Sequence, residues 1–140
     1  MTAAEIIDRL ALQRHPEGGW FRETWRATAP TGRASGTCIF FLLAEGEASH
    51  WHRVDATEIW HYHAGAPLLL SLSPDEQGPA RDQLLSPDLS EGLPQLIVPE
   101  HHWQAARSTG AYTLVSCTVS PGFDFAGFTL APPGFDIPRA

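Results

Sequence analysis

The sequence predicts an all-β fold, a sandwich or small barrel, entered through one short N-terminal helix. Two observations carry this. Beyond residue 14 the helical recurrence of apolar positions vanishes, and short runs rich in β-branched and aromatic residues take its place. Twelve glycines and twelve prolines punctuate those runs as turns do. A length of 140 residues suits a single domain with one hydrophobic core.

The elements follow in order. Thr2 and Glu5 have the spacing of a capping box, and Ile6, Ile7 and Leu10 recur at helical spacing, which predicts a helix ending near Arg14. The domain 1–140 thus divides into a helix over 1–14 and a barrel over 15–140. "HPEGG" reads as a turn into the aromatic run "WFRETWR"; no helix start follows it, so it is not a phosphate loop. Further strands are predicted in "GTCIFFLLAEG", "TEIWHYHAG", "PLLLSLS", "PQLIVP", "HWQAARS", "AYTLVSCTV" and "FDFAGFTLAP". Residues 74–94 are polar and predict a hairpin excursion or surface loop. Cys38 and Cys117 fall in apolar runs, which predicts two buried thiols. No Ser or Cys sits in a nucleophile-elbow pattern.

Charge narrows the function classes. Nine basic residues, all Arg, stand against sixteen acidic ones, for a net charge of −7. That balance argues against nucleic acid, whose binding relies on cations, and against anionic membrane surfaces. No apolar run is long enough to span a membrane. "MTAAEIIDRL" carries Glu5 and Asp8 where a signal peptide would be basic, so a cytoplasmic location is expected.

Chemistry concentrates in "SHWHRVDATEIWHYHAG", residues 49–65, which holds His50, His52, His61 and His63. Strand side chains alternate between faces. Glu58, Trp60 and Tyr62 therefore share one face of a regular strand, and Ile59, His61 and His63 share the other. The Glu58 face, a carboxylate between two aromatics, has the make-up of a small-molecule pocket. Burial there raises a carboxyl pKa unless a cation compensates. His50 and His52, two apart, are expected on one face just before this strand, near enough for one of them to approach Glu58. His61 and His63 are expected at solvent or at a subunit interface. His101 and His102, being adjacent, are expected on opposite faces. Arg22, Arg53 and Arg107 are candidates for gripping an anion, with surface salt bridging as the alternative.

"HRVDATE…HAG" resembles the first motif of the cupins, in which His-x-His, a Glu and a Gly supply metal ligands on a small barrel. The spacing from His52 through Glu58 to Gly65 fits, with Val54 at the second histidine position. "PEHHWQ" resembles the second motif, with Pro99 in place, His101 at the glycine position and Gln104 at the final histidine position. "HPEGGWFRETWR", "WHRVDATEIWH", "VPEHHWQAA" and "CTVSPGFDFAGF" together resemble a narrower branch, the DUF985 cupins. The resemblance implies an RmlC-like double-stranded β-helix, a jelly-roll barrel whose open end binds a small polar molecule, sugar or sugar-nucleotide derived.

Three functional readings follow. In the first, a metal-free pocket of His52, Arg53, Glu58, Trp60, Tyr62, Trp103 and Gln104 isomerises or epimerises a substrate next to a carbonyl. His52 serves there as base, with Tyr62 or Glu58 as proton donor. The second is a metal-dependent dioxygenase or isomerase, with Zn, Fe, Mn or Ni held by His50, His52 and Glu58. Such a site normally wants three or more protein ligands, a count that favours the metal-free pocket. The third is a non-catalytic binding module. A homodimer is expected through the edge formed by Trp20 to Trp25, which a lone barrel would leave bare.

Overall fold

The computed structural model describes residues 1–139. Helix α1 spans Ala3–Arg9, capped by Thr2 and Glu5 as their spacing predicts. It ends earlier than expected: Ala11 adopts a left-handed φ of 54°, and Gln13–Arg14 form strand β1 instead. The other strands are β2 Trp20–Arg26, β3 Thr37–Ala44, β4 Ala48–Val54, β5 Thr57–Gly65, β6 Leu68–Ser73, β7 Arg81–Leu85, β8 Gln95–Val98, β9 Trp103–Ser108, β10 Tyr112–Ser120 and β11 Phe128–Leu130. Each predicted run holds a strand. Strand β4 was not foreseen, and the polar excursion proves to be the β6–β7 hairpin with its flanking loops.

Two antiparallel sheets face one another, in the orders β1-β2-β3-β10-β5-β8 and β11-β4-β9-β6-β7. They form the jelly-roll barrel that the cupin resemblance implies, within the sandwich-or-barrel class that the turn-punctuated runs predict. Inward residues Phe41, Leu43, Trp60, Leu70, Leu96 and Val115 fill one part of the interior, where burial of apolar surface drives closure. Helix α1 covers the outside of the first sheet through Ile6 and Leu42. Ala131 and Ile137 cover the outside of the second over Trp51 and Trp103. Cys38 and Cys117 are both free, the first half-buried and the second buried. Among the described residues, no helix is long and apolar enough to cross a membrane.

One irregularity positions the site. Along the β4–β9 ladder Ser49 pairs with Ala106 while His52 pairs with Gln104, so β4 carries one extra residue. This bulge breaks the alternation that two-residue spacing assumes. Ser49 and His52 both turn inward and are buried, while His50 and Trp51 between them point outward.

Candidate functional site

The part of the interior left unfilled by the core is a cavity of about 540 Å³, lined at its base by His15, Glu17, His52 and Glu58. Two of these come from the "HPEGG" turn. The Gly18 N–H donates to the His15 carbonyl at 3.0 Å and the His15 N–H to the Gly19 carbonyl at 3.0 Å. Gly18 and Gly19 adopt φ of 108° and 78°, a region that favours glycine. A Cβ on Gly18 would also run into the Ala48 carbonyl. The turn is bolted to the bulge: the His50 N–H donates to the Glu17 carbonyl at 2.8 Å, and the Ser49 hydroxyl donates to the Glu17 carboxylate.

Hydrogen bonds fix the tautomer of both histidines. The Glu17 N–H donates to His15 Nδ1 at 3.1 Å, so the His15 proton sits on Nε2. The His50 carbonyl accepts from His52 Nδ1 at 2.7 Å, so His52 keeps its lone pair on Nε2. Glu17 Oε1 lies between the two rings, 3.3 Å from His15 Nδ1 and 3.5 Å from His52 Nε2.

Glu58, 8% exposed, is held from behind. The Trp60 indole N–H donates to Gln104 Oε1 at 2.9 Å, which leaves the Gln104 amide nitrogen to donate to Glu58 Oε1 at 2.8 Å. The buried Cys117 thiol lies near the same carboxyl group. The indole therefore decides which way the amide points, and the amide orients the acid.

Burial dominates the electrostatics. It pushes the Glu17 carboxyl up to about 8, against the pull of the Ser49 hydroxyl. It pushes Glu58 up to about 7, the charge of His52 opposing and that of Glu17 adding. His15 falls to about 4, through burial and then the nearby His52. His52 is also lowered by burial, with Glu58 opposing. Near neutral pH the base of the cavity thus holds neutral imidazoles beside a largely protonated Glu17 and a Glu58 close to its midpoint.

The mouth is apolar and its ions are spoken for. Phe21, Ile39, Val119, Phe123 and Phe125 form walls. Arg26 donates to both Glu23 oxygens at 2.8 Å and to the Phe123 carbonyl at 3.0 Å. Arg33 clamps both Asp55 oxygens at 2.9 and 2.7 Å and the Gly122 carbonyl at 2.6 Å.

The structure gathers His52, Glu58 and Gln104 as the spacing suggests and disperses the other candidates. His50 contacts the Pro132 carbonyl at 2.9 Å on the outer side, because the bulge turns it out. Arg53 and Trp103 stack on each other outside the second sheet, 5.1 Å apart, since their inward neighbours are His52 and Gln104. Trp60 lies in the core behind Gln104. The Tyr62 hydroxyl is spent on the Gly65 carbonyl at 2.6 Å and does not line the cavity. His61 and His63 face outward, toward Thr118 and Ser116. His101 adopts a left-handed φ of 66°, so the extended-chain assumption about its neighbour His102 fails.

His15 and Glu17 were missed. Their signal is Pro16 with Gly18 and Gly19 close behind, a turn tight enough to deliver the His15 and Glu17 side chains to one place.

The metal reading meets its test here. Among the described residues, no three His, Cys, Asp or Glu side chains are disposed to hold an ion. With His50 outside, Val54 and Gln104 at the other ligand positions, and the Gln104 amide engaged at both ends, the residues present do not fit a resident metal.

Comparison with known proteins places the fold. Protein SO0799 from Shewanella oneidensis superposes with a TM-score of 0.87 at 38% identity, over 94% of this chain and 85% of that one. A hypothetical protein from Leishmania major gives 0.86 at 32% identity, over 96% and 90%. Oxalate decarboxylase from Bacillus subtilis gives 0.64 at 14% identity, over 84% of this chain and 29% of that one, a likeness of fold alone. No curated protein matches the chain. The family model described as "Cupin superfamily (DUF985)" matches residues 4–131, and the chain belongs to that family.

Proposed function

We propose that the cavity binds a small polar molecule of the sugar type and moves a proton next to its carbonyl group, as an isomerase or epimerase does. His52 Nε2 takes the proton from the carbon beside the carbonyl. The electron pair left behind forms the double bond of an enediol, and a protonated carboxyl group, Glu17 or Glu58, gives its proton to the carbonyl oxygen. For isomerisation His52 returns its proton to the neighbouring carbon, while the ionised carboxyl group recovers a proton from the hydroxyl whose oxygen becomes the new carbonyl. For epimerisation water protonates the opposite face, the carboxyl group takes back the proton it lent as the carbonyl re-forms, and His52 releases its own to solvent. Acid and base must both be in their working forms at the operating pH, and the buried Glu17, Glu58 and His52 meet that demand. The observation that carries the reading is the His52 lone pair, aimed by the His50 carbonyl to within 3.5 Å of the Glu17 carboxyl group.

The test is proton exchange. Candidate sugars are incubated with the protein in heavy water, and deuterium at the carbon beside the carbonyl is read by mass. Incorporation lost in His52→Ala and retained in His61→Ala supports the reading. Equal incorporation in both variants refutes it, and binding without any incorporation marks a non-catalytic module.

The same barrel is read as a homodimer. Strand β1 pairs only with Trp20 and Phe21 of β2, which leaves the rest of that edge unpaired and Trp25 56% exposed. A second copy would cover it. Light scattering showing a clean monomer at micromolar concentration would remove this assignment.

A further inference from the structure

Among the described residues, an anion entering this cavity finds no free cation. Arg26 and Arg33 are the only cations among them that line it, and each is held by a carboxylate through two hydrogen bonds and by a backbone carbonyl through a third. The chain contains no lysine to take their place. Glu17, Glu58 and Asp124 also line the cavity. A phosphate would therefore have to break a two-pronged ion pair at the mouth or shed its water deeper in with no cation to neutralise it, and either route costs binding energy.

What the base offers is a matched donor and acceptor. His15 carries its proton on Nε2, because Nδ1 already accepts from the Glu17 N–H. That Nε2 has no hydrogen-bond partner among the described residues. Since no buried side-chain nitrogen or oxygen is sealed without one among the described residues, it opens on the cavity that His15 lines. His52 presents the reverse, an Nε2 lone pair. Apolar walls with a few convergent polar groups are the make-up of a neutral-ligand site.

We propose that the site selects an uncharged hydroxycarbonyl compound over its phosphorylated form, with the His15 N–H on the carbonyl oxygen and His52 Nε2 accepting from the neighbouring hydroxyl or C–H. This rests on the acid–base reading above and narrows its substrate class. It also makes His15 a catalytic residue: a neutral imidazole that polarises the carbonyl while His52 removes the proton.

Nitrogen-15 spectra of the histidine rings test it, with dihydroxyacetone, dihydroxyacetone phosphate and ethanolamine as probes. The expected result at neutral pH is His15 protonated on Nε2 and His52 on Nδ1. Dihydroxyacetone is expected to shift both rings at a concentration at least tenfold below that needed by either charged probe. His15→Phe should weaken that response at least tenfold with the His52 tautomer unchanged, and His15→Gln, which restores a donor near the same place, should recover it. If the Phe variant does not fold, the Gln variant against the unaltered protein, with the tautomer readout, still decides. A phosphate ester or an amine that binds as well as the neutral ketone overturns the proposal, as does a ketone that shifts neither ring. Deuterium exchange into a phosphorylated sugar, abolished by His52→Ala, would sink this inference while leaving the proton-transfer reading intact.

Discussion

Glu17 Oε1 lies 3.5 Å from His52 Nε2, two buried groups brought together from a turn and a bulged strand. Their environment makes a prediction about stability. Glu17 and Glu58 have folded pKa values of about 8 and about 7 against an ordinary 4.5, so the folded protein keeps protons that the unfolded chain releases. Their contribution is fully present below about pH 4.5 and is lost as pH rises through about 7 and about 8. His15 acts in the opposite sense: its folded value of about 4 lies below the ordinary 6.5, so its contribution is lost as pH falls through that window. Above pH 6.5 only the carboxyl effect remains. Chemical denaturation should show stability falling between pH 6.5 and pH 8, with a slope approaching about 1.4 kcal/mol per pH unit for each proton held. Glu17→Gln should flatten much of that fall; a variant as steep as the parent would contradict the assignment.

Gln104→Leu removes a donor from Glu58 and an acceptor from the Trp60 indole, both buried. Leaving two polar groups unpaired should cost about 2–4 kcal/mol. It should also raise the Glu58 pKa further, visible as a shift of its carboxyl carbon titration. An unshifted titration would mean that the amide does not hold the acid.

Two glycines with left-handed φ should answer alanine differently. At Gly18 a Cβ meets the Ala48 backbone, whereas at Gly46 nothing lies within 4 Å. Gly46→Ala should cost about 1 kcal/mol, the backbone penalty alone. Gly18→Ala should cost several times that and displace His15 and Glu17 from the cavity, weakening ligand binding as well. Equal melting temperatures for the two variants would refute the steric argument.

His50→Ala loses one bond, to the Pro132 carbonyl on the outer side. Stability should drop by about 1 kcal/mol, with ligand affinity and any turnover unchanged. A loss of activity comparable to that of His52→Ala would show that the bulge does not exclude His50 from the site.

The parts of this site that could be read from the sequence are those governed by local periodicity. Glu58 and Trp60 turn inward and His61 outward because β5 alternates regularly from residue 57 to 62; His63 is the extra residue at a second register shift, against β10. The same rule, applied across residues 49–52, put His50 on the wrong side, since one extra residue in β4 cannot be seen without its partner strand β9. Trp103 failed for a related reason: adjacency to Gln104 in a strand means opposite faces, and burial came from outer-sheet cover by Phe135. Glu17 lies 41 positions before Glu58, and only the folded topology brings the two to one cavity.

The bolt between the "HPEGG" turn and the β4 bulge also bears on how the chain comes to work. The groups lining the base arrive from the turn, β4 and β5, and Gln104 on β9 must reach across to fix Glu58. No single hairpin contains the constellation. A nascent or half-unravelled chain therefore lacks the assembled cavity base, which is complete only once β9 has docked beside β4.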